Sequence, residues 1–257
     1  MRFSIIIPAH NEERRISKTL EEYGKFFSGK LKKEFEIIVV LNACSDNTLG
    51  IVKKFQKKYS QIKYLEFRQA GKGFAITGGF KTAKGDLIGF VDADGSTSAE
   101  EYYRLIERIC NADGIIASRY IKGAVVSPKQ SLQRIIVSRI FNFMIRALFL
   151  MNYKDTQCGA KIFRKEAVRK ILPALGITHW AFDVDLLYQM KRNGFKVKEV
   201  STIWKDREYS KLNFLKAGPN MALSIIRLRL IYSPFKFIIK AYDLLPESLK
   251  FRSMFNK

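Results

Sequence analysis

Histidine is nearly absent from this chain of 257 residues: His10 and His179 are the only two. Two imidazoles so far apart in sequence do not supply a zinc site, so each is expected to be a structural or hydrogen-bonding residue. Cysteine is scarce as well. Cys44, Cys110 and Cys158 share no short spacing and are odd in number, which excludes a disulfide framework and suits a reducing cytoplasm. No run of 18 uncharged apolar residues occurs, so no membrane-spanning helix is expected. The first apolar run, Ser4-Ile5-Ile6-Ile7, stops at Pro8 and is too short for the core of a signal peptide. Acidic side chains are the remaining shortage: 24 against 46 Lys and Arg, a net charge of +22. That excess calls for an anionic partner, whether nucleic acid, a phosphate-rich substrate or an acidic membrane surface. Residues 119–170 hold 12 basic and 2 acidic side chains, so nearly half the excess sits in a fifth of the chain.

What is present is globular. Hydrophobic residues make up 47% of the chain, enough to bury a proper core. Strand and helix patterns alternate over the first 120 residues. Strands are expected at Phe3–Ile7, Phe35–Leu41, Ile62–Phe67, Gly114–Ala117 and in the run ending at Asp92. Helices are expected from about Glu12 to Phe27, over Asp46–Tyr59 with Asp46 or Ser45 as cap, over Gly73–Ala83 and over Glu100–Cys110. This rhythm predicts an α/β fold with a mostly parallel sheet and helices on both faces.

Residues 130–151 break the rhythm. On a helical wheel Arg134, Ser138, Asn142, Arg139 and Arg146 fall within about 140° of arc. Ile136, Val137, Ile140, Phe141, Phe143 and Met144 cover the other side. An apolar face beside an arginine-bearing face suits either a helix lying in a membrane interface or an ordinary amphipathic helix packed on the domain. A second apolar and basic segment, Met221–Leu245, is broken at Pro234.

The chemistry-bearing motifs follow the strands. Asp86-Leu87-Ile88-Gly89-Phe90-Val91-Asp92-Ala93-Asp94 ends in two carboxylates, and ligands of open α/β sheets sit beyond the carboxyl ends of strands. Two hard oxygen ligands there suit Mg²⁺ or Mn²⁺. Pro8-Ala9-His10-Asn11-Glu12 opens onto the same crevice, with Asn11 also suited to cap the helix that follows. Gly71-Lys72-Gly73 precedes a helix whose amides, with the ammonium, suit a phosphate; the spacing of a Walker loop is absent, which argues against an ATPase. No nucleic-acid-binding motif appears, and an acidic crevice repels phosphate unless metal-loaded, so nucleic acid is not expected as a partner.

Together, Ser4–Pro8 with Asn11 and Glu12, Gly71-Lys72-Gly73, Asp92-Ala93-Asp94 and Ala117-Ser118-Arg119-Tyr120 resemble the inverting glycosyltransferases of the GT-A fold. Asp155-Thr156-Gln157-Cys158-Gly159-Ala160-Lys161-Ile162-Phe163, Trp180-Ala181-Phe182-Asp183-Val184-Asp185 and Ser210-Lys211-Leu212 are similar to strings of the dolichyl-phosphate β-glucosyltransferases. They are similar, less closely, to those of the dolichol-phosphate mannose synthases.

The resemblance covers roughly residues 3–215 and implies a GT-A, Rossmann-like domain over residues 1–215; residues 216–257 are expected, from their own apolar and basic composition, to be a basic amphipathic membrane-associating segment. It implies transfer of a hexose from UDP-glucose to a polyprenyl or dolichyl phosphate on the cytoplasmic face of a membrane. GDP-mannose as donor, or a saccharide hydroxyl as acceptor, stays open as the alternative, although the Gln-x-x-Arg-Trp string frequent in hydroxyl-directed relatives is absent. Donor-binding positions carried over are Pro8, His10, Glu12, Asn42, Lys72, Asp92, Ala93, Asp94 and Lys211, with Asp92 and Asp94 on the metal. Arg119, Arg134 and Ser138 match the acceptor-phosphate cradle. Asp94, Asp183, Arg119 and Arg134 are the expected catalytic set, and Trp180 either shields the sugar or fills the core. Leu41-Asn42 stands where relatives commonly carry two aspartates, and Ser96 where mannose synthases carry a glutamine, so base identity and a third metal ligand stay open, as does a homo-oligomer.

Overall fold

The computed structural model describes residues 2–128, 131–176, 181–205 and 214–244. Four strands and the helices between them come first: β1 (Phe3–Ala9), α1 (Ile16–Leu31), β2 (Phe35–Asn42), α2 (Thr48–Lys58), β3 (Ile62–Phe67), α3 (Lys72–Thr82), β4 (Leu87–Phe90) and α4 (Ala99–Arg108). Then follow β5 (Gly114–Ser118), β6 (Val125–Ser127), α5 (Leu132–Phe149), β7 (Lys161–Arg164), α6 (Lys165–Ile171), α7 (Phe182–Arg192), β8 (Val197–Ser201), β9 (Ile203–Lys205), α8 (Phe214–Ile231) and α9 (Lys236–Asp243).

The main sheet has the order β3-β2-β1-β4-β7-β5-β8. Every pairing is parallel except those of β7, which runs antiparallel to β4 and β5. β1 and β2 are apolar at nearly every position because helices cover both their faces. Ile5, Ile7, Ile37 and Val39 meet Leu20, Tyr23 and Phe27 of α1 on one side; Ile6, Ile38 and Val40 meet Ile76 and Phe80 of α3 on the other. The parallel sheet between two helical layers is the expected α/β architecture.

Two boundaries moved for physical reasons. The strand expected to end at Asp92 stops at Phe90; Val91 N still donates to Ile6 O at 3.0 Å, and the chain then turns, leaving both aspartates beyond the sheet. α1 starts at Ile16 rather than near Glu12, because the Glu12 carbonyl closes a turn onto Arg15 N and Ile16 N at 2.9 Å each. Asn11 does not cap it. It takes a left-handed φ of 54°, and its Oδ1 accepts from Ser45 N and Asp46 N at 2.8 and 3.3 Å, tying the loop after β1 to the loop after β2. Asp46 does serve the start of α2, accepting from Thr48 N at 3.0 Å.

The helix expected at 130–151 is α5, but its two-faced reading needs correction. Arg134, Ser138 and Asn142 turn inward with Val137 and Phe141 onto a cavity, and Ile145 and Phe149 enter the core. Arg139 and Arg146 stay in solvent beside an outward apolar stripe of Leu132, Ile136, Ile140 and Phe143, each more than half exposed. Both arcs are thus divided, because the helix packs along an edge that the wheel alone does not reveal. α8 lies against α5: Ile225 and Leu228 are fully buried in the shared core, and Arg229 Nε donates to Leu148 O at 2.8 Å. Among the described residues no helix is long and apolar enough to cross a membrane.

Candidate active site

The carboxyl ends of β1, β2 and β4 surround a pocket of about 210 Å³. It gathers every residue expected to bind the donor except Lys211, which lies outside the described residues, as does Trp180. A neighbouring cavity of about 490 Å³ shares Lys72, Asp92 and Asp94 with it and extends to Arg119, Arg134, Ser138 and Asp183. The two carboxylates and the cavity-facing arginines therefore open onto one space.

Asp94 accepts from Ser96 N at 2.9 Å. Burial, and then the charge of Asp92, push its carboxyl above the usual carboxylate range. Glu12 shifts the same way: burial raises it, the bidentate Arg15 fork at 2.7 and 2.6 Å opposes, and both aspartates add to the rise. Three carboxylates crowd this corner, a cost that a cation relieves. The donor set is hard oxygen, and among the described residues no group of three or more acidic, His or Cys side chains forms a metal cage. Two carboxylates fit Mg²⁺ or Mn²⁺, which leave their other positions to water and substrate phosphate.

Lys72, the first residue of α3, ion-pairs with Asp92 at 2.7 Å and lies 3.9 Å from Asp183. Burial opposes its charge, but Asp92 and Asp183 outweigh burial and hold the ammonium above the ordinary lysine range. Gly71 before it takes a φ of 134°, which a side chain would strain. Asn42 is tied to this loop: with its amide nitrogen toward Ala9 O (2.7 Å), its side-chain oxygen accepts from Gly71 N at 3.0 Å. Its backbone carbonyl also takes His10 Nδ1 at 2.7 Å.

At the far end Arg119 is held by Asp155, Nε at 2.7 Å and Nη2 at 3.0 Å. The Trp204 ring lies against the guanidinium groups of both Arg119 (5.3 Å) and Arg134 (5.9 Å). So Arg119, expected among the phosphate-binding arginines, spends two of its donors inside the protein and serves as a fixed positive wall.

The model of the family described as Glycosyl transferase family 2 matches residues 4–172. The chain belongs to glycosyl transferase family 2. It is a nucleotide-sugar-dependent glycosyltransferase of the GT-A fold. Its relatives include a dolichyl-phosphate β-glucosyltransferase of Dictyostelium discoideum, 34% identical over 243 residues, covering 89% of this chain and 74% of that protein. The enzyme of the same description from Saccharomyces cerevisiae is 29% identical over 248 residues, 89% of this chain and 74% of its own length. Among solved structures, a mannosyltransferase of Pyrobaculum calidifontis in complex with GDP-Man and Mn²⁺ superposes with a TM-score of 0.66 at 14% identity. That match covers 90% of this chain and 64% of that one. S. aureus TarS 1-349 gives a TM-score of 0.60 at 20% identity, covering 90% of this chain and 65% of that one. This family 2 chain therefore spans just under two thirds of those two solved chains.

Four site residues of this glycosyltransferase escaped the sequence reading: Arg15, Asp155, Lys161 and Trp204. Asp155 and Lys161 lay inside the string that carried the resemblance, where no role distinguished them. Arg15 sits three residues after Glu12, the spacing of a helical ion pair, which was the signal available for it.

The Arg119–Asp155 pair yields a pH-dependent expectation. Burial raises the Asp155 carboxyl, but Arg119 outweighs it and holds it below the usual range. A carboxyl depressed in the folded state contributes stability above its unfolded value of about 3.9, lost as pH falls through the folded one. D155N leaves a buried guanidinium unpaired and is expected to cost about 3–5 kcal/mol at pH 7. Denaturant titrations should show the gap between D155N and wild type narrowing below about pH 4; a gap independent of pH refutes the pairing.

Proposed function

We propose that this glycosyltransferase moves glucose from UDP-glucose to the phosphate of a polyprenol such as dolichol, with inversion at the anomeric carbon. The reading includes a Mg²⁺ or Mn²⁺ cofactor and action at the cytoplasmic surface of a membrane. One observation carries it: a single cavity joins the acidic corner at Asp92 and Asp94 to Arg134 and Ser138 on α5. The dolichyl-phosphate β-glucosyltransferases at 34% and 29% identity support the choice of sugar and acceptor.

In this reading the diphosphate of the donor lies over Lys72, with Asp92 and Asp94 holding the cation. When bound, that cation stabilises charge developing on the leaving diphosphate. Lys72 adds a fixed ammonium on the same side, already ionised and already oriented. Arg134 and Ser138, at i and i+4 on α5, present a guanidinium and a hydroxyl to the acceptor phosphate. An oxygen of that phosphate forms the new bond to the anomeric carbon as the bond from that carbon to the diphosphate oxygen breaks, and the nucleoside diphosphate departs. The attacking phosphate is ionised at neutral pH, so no general base is required. That matches an Asp183 already engaged by two lysines.

The acceptor's tail needs an apolar exit. Val137, Phe141 and Met221 line the cavity, and Leu132, Ile136, Ile140 and Phe143 form an exposed apolar stripe on the same helix α5. Such a surface, flanked by Arg139 and Arg146, suits the interface of an anionic bilayer. Burying an apolar side chain there contributes about 1.5–3 kcal/mol. I136D/F143D is therefore expected to weaken sedimentation with phosphatidylserine vesicles at least about tenfold. Transfer to a water-soluble short-chain acceptor should persist, and vesicle binding equal to wild type refutes the surface.

The decisive assay incubates the protein with labelled UDP-glucose or GDP-mannose, dolichyl phosphate and Mn²⁺ or Mg²⁺, then measures label in the organic phase. Glucosyl lipid from UDP-glucose is expected; label confined to the aqueous phase with both donors refutes the reading.

A further inference from the structure

Lys161 opens β7, the antiparallel strand wedged between β4 and β5, and its side chain is wholly buried. Its Nζ donates to Cys158 O at 2.6 Å and to Asp183 Oδ1 at 2.5 Å. The other oxygen of Asp183 lies 3.9 Å from Lys72 Nζ, which is 2.7 Å from Asp92 Oδ1. Four charges of alternating sign thus run from the middle of the sheet to the acidic corner. Both ammonium groups also sit over the ring of Phe90, at 5.2 and 5.6 Å. The turn before Lys161 touches the same corner, since a side chain at Gly159 would overlap the Asp92 carboxylate.

Stability gives no reason for such a row. Replacing a buried ion pair by apolar groups of similar volume is often neutral or stabilising, and an apolar side chain would suit the strand centre. What the lysine supplies is direction. An ammonium anchored on Cys158 O fixes one oxygen of Asp183, which leaves the other aimed at Lys72.

We propose that Lys161 is a positioning residue, acting through Asp183 to hold the Lys72 ammonium on the cavity floor beside Asp92. The proposal rests on the reading of that floor as the donor-diphosphate subsite. Lys72 then meets charge that grows only as the sugar bond breaks. Loosening it costs turnover rather than donor binding.

The test is a double-mutant cycle on the full chain. K161M and D183N are each expected to lower kcat about 10- to 100-fold, with the donor KM within about threefold of wild type. K161M/D183N, neutral at both positions, should fold by circular dichroism and be no slower than D183N, because the lysine acts only through the aspartate. A buried, unpaired Asp183 can prevent K161M from folding; the comparison of the double variant with D183N then carries the test. Losses that multiply, a folded K161M with kcat within about threefold of wild type, or a double variant that does not fold each overturn the proposal. Failure of the wild type to transfer sugar from either donor is a separate result, seen before any variant is made, and it removes the diphosphate reading itself.

Discussion

D94N is expected to lower transfer about 10³-fold while leaving the metal-free protein at least as stable as wild type. The loss follows from the cation's share of the barrier. A cation on the leaving diphosphate contributes several kcal/mol, and about 4 kcal/mol is a factor of about 10³ in rate. The stability follows from the sign of the Asp94 shift. Burial, and then Asp92, hold its carboxyl above the usual range, so the folded chain resists ionising it. A carboxyl raised in this way costs nothing below its unfolded value of about 3.9 and costs stability as pH rises through the folded value. At pH 7 the asparagine removes that cost. Mn²⁺ should accordingly raise the melting temperature of wild type, by linkage worth about 2.7 kcal/mol at a hundredfold excess over Kd. D94N should not respond. Scanning calorimetry with and without Mn²⁺, beside the transfer assay, checks both halves; a D94N protein stabilised by Mn²⁺ as much as wild type shows that the cation binds elsewhere.

β1 and β2 were legible in the sequence because they are buried on both faces, and Ile5-Ile6-Ile7 or Ile37-Ile38-Val39-Val40 announce that burial without any pattern of alternation. The carboxylates beyond β4 were legible for the same reason, since the end of an apolar run marks where the crevice begins. β7 was not. Four residues long and starting with a lysine, it carries no apolar period, and its antiparallel direction is set by tertiary pairing with β4 and β5. Asp155 and Lys161 were invisible as site residues because their partners, Arg119 and Asp183, lie 36 and 22 positions away. Local spacing predicts helical neighbours such as Arg134 and Ser138; pairing across the sheet has no local signature. The outward stripe of α5 marks another limit: the wheel shows that a helix has two characters, and only packing shows which one faces the cavity.

R134A is expected to raise the acceptor KM about 10- to 100-fold and to leave the donor KM within about threefold. A charge-assisted bond between guanidinium and phosphate contributes about 1.5–3 kcal/mol, which sets that range. The selectivity comes from position. Arg134 belongs to the larger cavity alone, whereas the pocket at the ends of β1 and β2 draws its cations from Lys72 and Arg15. Its neighbours argue that the loss stays local. Ser131 caps α5 through the backbone nitrogen of Arg134 at 3.3 Å, a bond that alanine keeps. The Trp204 ring retains Arg119 on its other contact, and Arg119 remains fixed by Asp155. R134K separates charge from geometry: an ammonium restores the charge without the two-pronged grip, so partial rescue is expected. Steady-state kinetics with each substrate varied in turn, at saturating levels of the other, provide the check. If R134A raises both KM values equally, α5 does not bind the acceptor, and the division of the cavity into donor and acceptor ends fails with it.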